Sequence, residues 1–322
     1  MAGPDVTSAG ASSSALERRR PLIVDVRPNS LDDGPGIRTT VFFKGCPLAC
    51  VWCHNPEAID SHPEIALLER DCIACGECMP VCVPRALGAG PAVAFDRSRC
   101  NRCGLCADLC PTGALKRVGR YWEIDELLPL LLRDQPFYRN SGGGVTLSGG
   151  EATMFPSYVE ALLRRLQAAG VHTLLETCGL FRLETFCERL LPYLDQVYYD
   201  VKFVDEELHR RYTGRPNRVI LENLAALVER APGRVLPRVP LIPGLTADLD
   251  NLRAIGAFLR RLGFSEARLL PYNPLWAEKA ASVGRASGYR HEGWLSREEQ
   301  ATCEAAFFEA LCGRGAPSSE SD

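Results

Sequence analysis

Thiols are where this sequence concentrates its chemistry. Of 15 cysteines in 322 residues, 11 fall between Cys46 and Cys110. Eight of them form an internal repeat. Cys72, Cys75, Cys78 and Cys82 recur as Cys100, Cys103, Cys106 and Cys110, each displaced by 28 residues, while Gly76, Ala86 and Leu87 recur as Gly104, Ala114 and Leu115. Each half reads C-x2-C-x2-C-x3-C, a spacing that sets thiolates around the corners of an iron cluster; a pair of four-thiolate zinc sites is the alternative. Cys46, Cys50 and Cys53 read C-x3-C-x2-C. Three thiolates in eight residues can hold three irons of a cube and leave the fourth without a protein ligand. An open metal position is where catalysis happens, whereas a closed one is structural or carries electrons. Zinc with a distant fourth ligand is again the alternative. A disulfide framework is a poor reading for a chain this long, with an odd thiol count and no address to an oxidising compartment. Cys178, Cys187, Cys303 and Cys312 are scattered and read as buried inert thiols.

Loops of this kind need a rigid frame. Six short apolar runs, rich in β-branched and aromatic residues, read as strands: residues 39–43, 145–147, 171–175, 197–201, 234–239 and 267–270. Helical periodicity fills the spaces between them. Leu249, Leu252, Ile255, Leu259 and Leu262 lie on one stripe and Val159, Leu162, Leu163 and Leu166 on another, while Ser296 with Glu299 marks a helix start. This alternation predicts an α/β fold with a parallel sheet and crossover helices, open or closed into a barrel. The segments after the strands are unusual: KGCPLAC, SGGEA, ETCG, Lys202, PLIPG and PYNP in turn. In barrels of parallel strands the chemistry sits at those carboxyl ends.

Composition narrows the class further. Hydrophobic residues make up 46% and charged residues 24%, the balance of a globular protein with ample core. With 37 basic and 40 acidic side chains, the net charge of -3 gives no field to recruit nucleic acid or an anionic membrane. No apolar run approaches the roughly 20 residues of a membrane helix. The first 20 residues lack the apolar core of a secretion signal, so a cytoplasmic protein is expected. They and residues 313–322 read as disordered tails.

Two resemblances sharpen the reading. The 28-residue repeat is similar to bacterial two-cluster ferredoxins, in which the fourth cysteine of each run serves the other cluster. By that resemblance, Cys72, Cys75, Cys78 and Cys110 hold one four-iron, four-sulfur (4Fe-4S) cluster, and Cys100, Cys103, Cys106 and Cys82 a second. One departure is that Val83, not proline, follows Cys82, whereas Pro111 follows Cys110. The three-cysteine loop, with aromatic Trp52 before its last cysteine, resembles the radical S-adenosylmethionine superfamily. More narrowly, DDGPGIRTTVFFKGCPLACVWCHNPE (residues 32–57) resembles the glycyl-radical enzyme activating enzymes. The likeness continues through GGGVTLSGGEA, ETCG, DVK, RRYTG, LIPG and LLPY, and the ferredoxin-like insert resembles the larger members of that family.

The resemblance implies a partial (β/α)6 barrel over residues 21–60 and 119–312, interrupted by the insert at 61–118. It implies a third 4Fe-4S cluster on Cys46, Cys50 and Cys53 whose bare iron chelates S-adenosylmethionine. Reductive cleavage then gives a 5′-deoxyadenosyl radical that takes the α-hydrogen of one glycine in a partner enzyme. Trp52, Cys53 and His54 would line the cofactor. Gly150 and Glu151 would approach its amino group, and Glu176, Thr177, Asp200, Val201 and Lys202 its carboxylate and ribose. Asn273 stands where family members often carry a cofactor-contacting histidine. Asp33 would meet the partner's C-terminal glycine loop, and a flavodoxin or ferredoxin would donate electrons. The rival readings are a radical enzyme acting on a small molecule or peptide, and an electron carrier fused to a degenerate barrel.

Overall fold

A computed structural model describes residues 20–313. The expectation of disordered tails therefore lies outside the described residues, apart from Arg20 and Gly313. In chain order the strands are β1 (Leu22–Ser30), β2 (Arg38–Lys44), β3 (Glu64–Leu67), β4 (Leu87–Gly88), β5 (Ala94–Phe95), β6 (Leu115–Val118), β7 (Arg120–Tyr121), β8 (Gly144–Gly149), β9 (His172–Thr177), β10 (Gln196–Asp200), β11 (Val235–Pro240) and β12 (Arg268–Leu270).

Eight of them form one sheet in the order β12-β11-β10-β9-β8-β2-β1-β7. From β2 through β12 the pairings are all parallel, and these are the six strands expected from sequence. Spatial order follows chain order, so every crossover steps one strand in the same direction. Right-handed crossovers then place all the connecting helices on one face, and the sheet curls around the other. The two ends, β12 and β7, do not pair with each other, which leaves a partial barrel. Strand β1, which periodicity missed, runs antiparallel to β2 with two register shifts. Its outer half is exposed and polar, so it never shows a sustained apolar alternation.

Side chains along the strands divide by period two. Val145, Leu147, Leu175, Val197, Tyr199 and Val239 point outward into the main core, where they meet Leu162, Leu224 and Ile255 of the surrounding helices. The alternate residues face the concave side. There Leu174, Tyr198 and Leu236 make a small apolar floor. One step further along the same strands come Glu176, Asp200 and Arg238. The expected stripe on the helix Leu249–Arg261 buries Leu252, Ile255 and Leu259, and the Asp248 side chain caps its start. Ser296 and Glu299 form the capping box of Arg297–Cys312.

Between β2 and β8 the chain makes a second, smaller body. β3 pairs with β6 and β4 with β5, around a core of Ile65, Leu67, Leu87, Val93 and Leu115 with Cys78 and Cys106. It is stitched to the barrel. Lys44, its side chain fully buried, donates to Glu64 at 2.6 Å and to the Glu57 carbonyl at 2.6 Å. Arg97 bridges the Ile65 carbonyl at 2.6 Å and the Ser282 carbonyl at 2.5 Å. Arg102 reaches Asp60 at 3.3 Å, and Arg285 reaches Glu64 at 3.5 Å. Among the described residues no helix is long and apolar enough to cross a membrane.

Candidate active site

The carboxyl ends of β2, β8, β9, β10 and β11 enclose a cavity of about 300 Å³. Its wall begins with the cysteine loop. Gly45 and Cys46 donate backbone bonds to the Ala58 and Ile59 carbonyls at 2.7 and 3.0 Å, closing the loop at its base. Ala49 and Val51 donate to the Thr213 and Tyr212 carbonyls at 2.8 and 3.0 Å. The RRYTG stretch therefore serves as a ledge for this loop, at the end of the helix Glu206–Thr213. Cys46, Cys50 and Cys53 all face the cavity. Burial pushes the Cys50 thiol up to about 12 and Cys53 higher still. Thiolates form here only when a metal displaces the protons. Trp52 also borders the cavity, and its ring stands edge-on to Phe203 with centroids 6.1 Å apart.

The opposite wall is ionic. Arg238 pairs with Glu176 and, at 3.0 Å, with Asp200; Lys202 pairs with Asp200 at 3.3 Å; Ser148 donates to Glu176 at 2.5 Å. Burial raises the Glu176 carboxyl above its ordinary range despite Arg238. Burial would raise Asp200 as well, but Arg238 and Lys202 together hold it below the usual carboxylate value. Burial works against the Lys202 ammonium, but Asp200 and the cavity cysteines together raise it above its ordinary value. Two carboxylates and two cations thus face the thiols with no net charge, which suits a zwitterion.

Gly150 explains why SGGE carries glycine. A Cβ there would stand 2.2 Å from the Gly45 carbonyl oxygen and 2.6 Å from that of Ala58, so the end of β8 closes on the cysteine loop only without a side chain. Gly150 and Thr177 border the cavity. Glu151 does not. Its fully buried carboxylate accepts from Thr153 and Thr177 hydroxyls at 2.7 and 3.0 Å and from the Cys178 amide at 2.7 Å. It braces the turn after β9. Val201 is likewise buried away from the lining. Asn273 is exposed, accepts from the Leu275 amide at 3.0 Å and lies outside the lining too.

His54 borders the cavity and keeps its Nε2 buried without a hydrogen-bond partner. Burial first, and then the Lys279 ammonium, push its pKa down to about 4, so the ring is neutral at ordinary pH. Asp33 sits at the rim beside Asp32, with its carboxylate accepting from the Thr40 hydroxyl at 2.7 Å and its carbonyl from Thr146 at 2.7 Å. Arg38, wholly buried, props this arm from below through Thr146 at 2.6 Å and the Pro35 carbonyl at 3.2 Å. Sequence reasoning missed Arg238 and Ser148. Both were recoverable: counting in twos from Leu236 or Thr146 puts each on the concave face at a strand end. Cys178 is buried as expected, but it belongs to the cavity wall, in reach of Cys46.

In the smaller body the two loops exchange their fourth thiols. Cys78 has Cys110, Cys72 and Cys75 as neighbours, and the four line one small cavity. Cys106 has Cys100, Cys82 and Cys103 around it. Among the described residues no three His, Cys, Asp or Glu side chains converge at single-ion spacing.

Comparison with known proteins agrees with this geometry. The radical SAM superfamily model matches residues 98–253, a 4Fe-4S dicluster domain model residues 71–114, and a 4Fe-4S single cluster domain model residues 32–79. The choline trimethylamine-lyase activating enzyme of Oleidesulfovibrio alaskensis is 39% identical over 83% of this chain and 88% of its own length. The benzylsuccinate synthase activating enzyme of Thauera aromatica is 38% identical over 85% of each chain. The trans-4-hydroxy-L-proline dehydratase activating enzyme of Clostridioides difficile is 38% identical over 80% of this chain and 86% of its own. The chain belongs to the glycyl-radical enzyme activating enzymes of the radical SAM superfamily, oxidoreductases that cleave S-adenosylmethionine to install a glycyl radical on a partner enzyme.

Proposed function

We propose that the cavity holds a 4Fe-4S cluster on Cys46, Cys50 and Cys53 together with S-adenosylmethionine, and that the smaller body, residues 61–118, carries two further 4Fe-4S clusters. The observation that carries this reading is convergence: three thiols with no fourth from their own loop open into the same chamber as a charge-balanced ionic wall. The residues fit the group. His54 offers an orphaned buried Nε2, Gly150 leaves a cradle beside the loop, and the paired charges match a zwitterion. When bound, the reduced cluster and S-adenosylmethionine supply the one-electron chemistry that removes a glycine hydrogen.

This chain's own residues do the rest. Cys46, Cys50 and Cys53 would release their protons to solvent and hold irons as thiolates. Lys202 and Arg238 bind carboxylate oxygen, Glu176, Thr177 and Asp200 take amino or hydroxyl groups, and His54 holds a neutral ring against the ligand. Asp33 at the rim receives a backbone amide of the partner's glycine loop. A reduced flavodoxin or ferredoxin provides the electron, and the cytoplasm is the compartment. The test is anaerobic co-expression with the glycyl-radical enzyme encoded nearby, followed by electron paramagnetic resonance. A glycine-centred doublet that needs S-adenosylmethionine is the expected result. No doublet with any candidate partner, or zinc in place of iron, overturns the proposal.

A further inference from the structure

The 28-residue repeat keeps its thiols and its backbone but reverses its charges. Gly76 and Gly104 take φ +84° and +81°, and the matched residues Ala74 and Arg102 take +52° and +62°, so the two cysteine loops share a shape. Where the first loop has Glu69, Asp71 and Ala74, the second has Arg97, Arg99 and Arg102. Residues 61–80 hold four carboxylates and one arginine, whereas residues 81–118 hold six cations and two carboxylates. Offsetting the charge of a bound cluster does not explain the contrast, because both quartets would carry the same cluster.

The cations border an accessible face. Cys103 is exposed, as are Arg99 and Arg102 beside it in the loop. Arg99 makes no ion pair among the described residues. Arg117 donates to the Cys103 carbonyl at 2.7 Å and to Asp108 at 2.8 Å. Its guanidinium lies against Gly104, where a Cβ would stand 2.0 Å from Nη1, and so it flanks Leu105. Leu105, which replaces Glu77 of the first loop, and Leu109 one helical turn on are 48% and 52% exposed. Apolar side chains within a charged rim are the layout of a docking face. Arg102 also pairs with Asp60 at 3.3 Å, the neighbour of the Ile59 carbonyl that accepts the Cys46 amide.

We propose that Arg99, Arg102 and Arg117, around exposed Cys103, Leu105 and Leu109, dock an acidic one-electron carrier protein. This deepens the reading above and rests on its cluster at Cys82, Cys100, Cys103 and Cys106. The carrier is oxidised by one electron and that cluster reduced by one; no bond or proton moves. Opposite charge guides the encounter, and electron-transfer contacts need only a small patch. The glycyl-radical partner fits this face less well, because its glycine must enter a chamber that none of these residues borders.

The test uses flavodoxin as the probe and the full iron-loaded protein. Stopped-flow mixing with reduced flavodoxin gives the association rate constant, and calorimetry with oxidised flavodoxin gives affinity without electron transfer. Arg99→Glu combined with Arg117→Gln should lower both about tenfold at roughly 0.05 M salt and hardly at all at roughly 0.5 M. Arg99→Glu alone, which breaks no side-chain bond, should lower both about threefold and serves if the double variant misfolds. Arg261→Glu, on the helix Leu249–Arg261 and also without an ion pair, should change neither. Unchanged binding in Arg99→Glu, an equal fall in Arg261→Glu, or a loss confined to the glycyl-radical partner overturns the inference and leaves the cluster reading standing. Iron for the chamber cluster alone in the unmodified protein overturns both.

Discussion

Replacing Arg238 with methionine isolates the electrostatics of the chamber. The guanidinium lies between Glu176 and Asp200, and the three side chains are 9%, 11% and 23% exposed. Methionine fills most of the volume and removes the charge. Asp200 keeps Lys202 at 3.3 Å, but Glu176 is left with the Ser148 hydroxyl alone. Breaking one buried pair costs about 3–5 kcal/mol. Glu176 has an escape, because it can take a proton. Protonating a carboxyl of ordinary acidity costs about 3.7 kcal/mol at pH 7 and about 2.3 at pH 6, which caps the loss. The folded variant then binds a proton that the unfolded chain does not, so its stability falls as pH rises, by about 1.4 kcal/mol per unit. Anaerobic urea unfolding at pH 6 and 7, read by tryptophan fluorescence, should show this widening deficit against the unmodified protein. Glu176→Gln combined with Arg238→Met removes the stranded charge and should recover at least about 1.5 kcal/mol at pH 7. A deficit equal at both pH values, or a double variant no better than the single, refutes the reasoning.

Other outcomes follow from single features. Gly150→Ala drives a methyl into two carbonyl oxygens and should cost about 3 kcal/mol, with S-adenosylmethionine binding weakened more than tenfold by calorimetry. His54 is held neutral by burial down to about pH 4, so the unfolded chain binds the extra proton between there and about 6.5. Stability therefore rises with pH across that window by up to about 1.4 kcal/mol per unit, and His54→Gln should flatten the slope in urea titrations. Cys110→Ala should lower iron by roughly a third and open Cys72, Cys75 and Cys78 to alkylation, with Cys100, Cys103 and Cys106 still protected. Mass spectrometry of the alkylated peptides decides it, and protection of Cys72 in that variant would sink the crossed pairing.

Much of this was legible in the sequence because thiol spacing and strand periodicity are local signals. All six parallel strands announce themselves as short apolar runs, five of them with β-branched residues, and the two quartets as a 28-residue repeat. What local reading missed depends on the third dimension. β1 is an edge with register shifts and a polar outer half, so it lacks alternation. The partners of the Glu151 carboxylate, Thr177 and the Cys178 amide, lie 26 and 27 residues away, where no local pattern names them. Asn273 turns to cap its own loop. Arg238 looks like an unremarkable charge in an apolar run until the sheet curls and three strand ends meet.

The seams around the smaller body have a mechanical consequence. Arg97 ties it to the Ser282 carbonyl at the end of the helix Trp276–Ser282, and Lys279 of that helix donates to the His54 carbonyl at 3.2 Å. Arg102 holds Asp60, next to the carbonyl that closes the Cys46 loop. The smaller body is therefore a brace for the chamber through Arg97 and Arg102. Loosening it would slacken the walls that carry Cys46 and His54 without touching either, so the chamber can lose its shape from a distance.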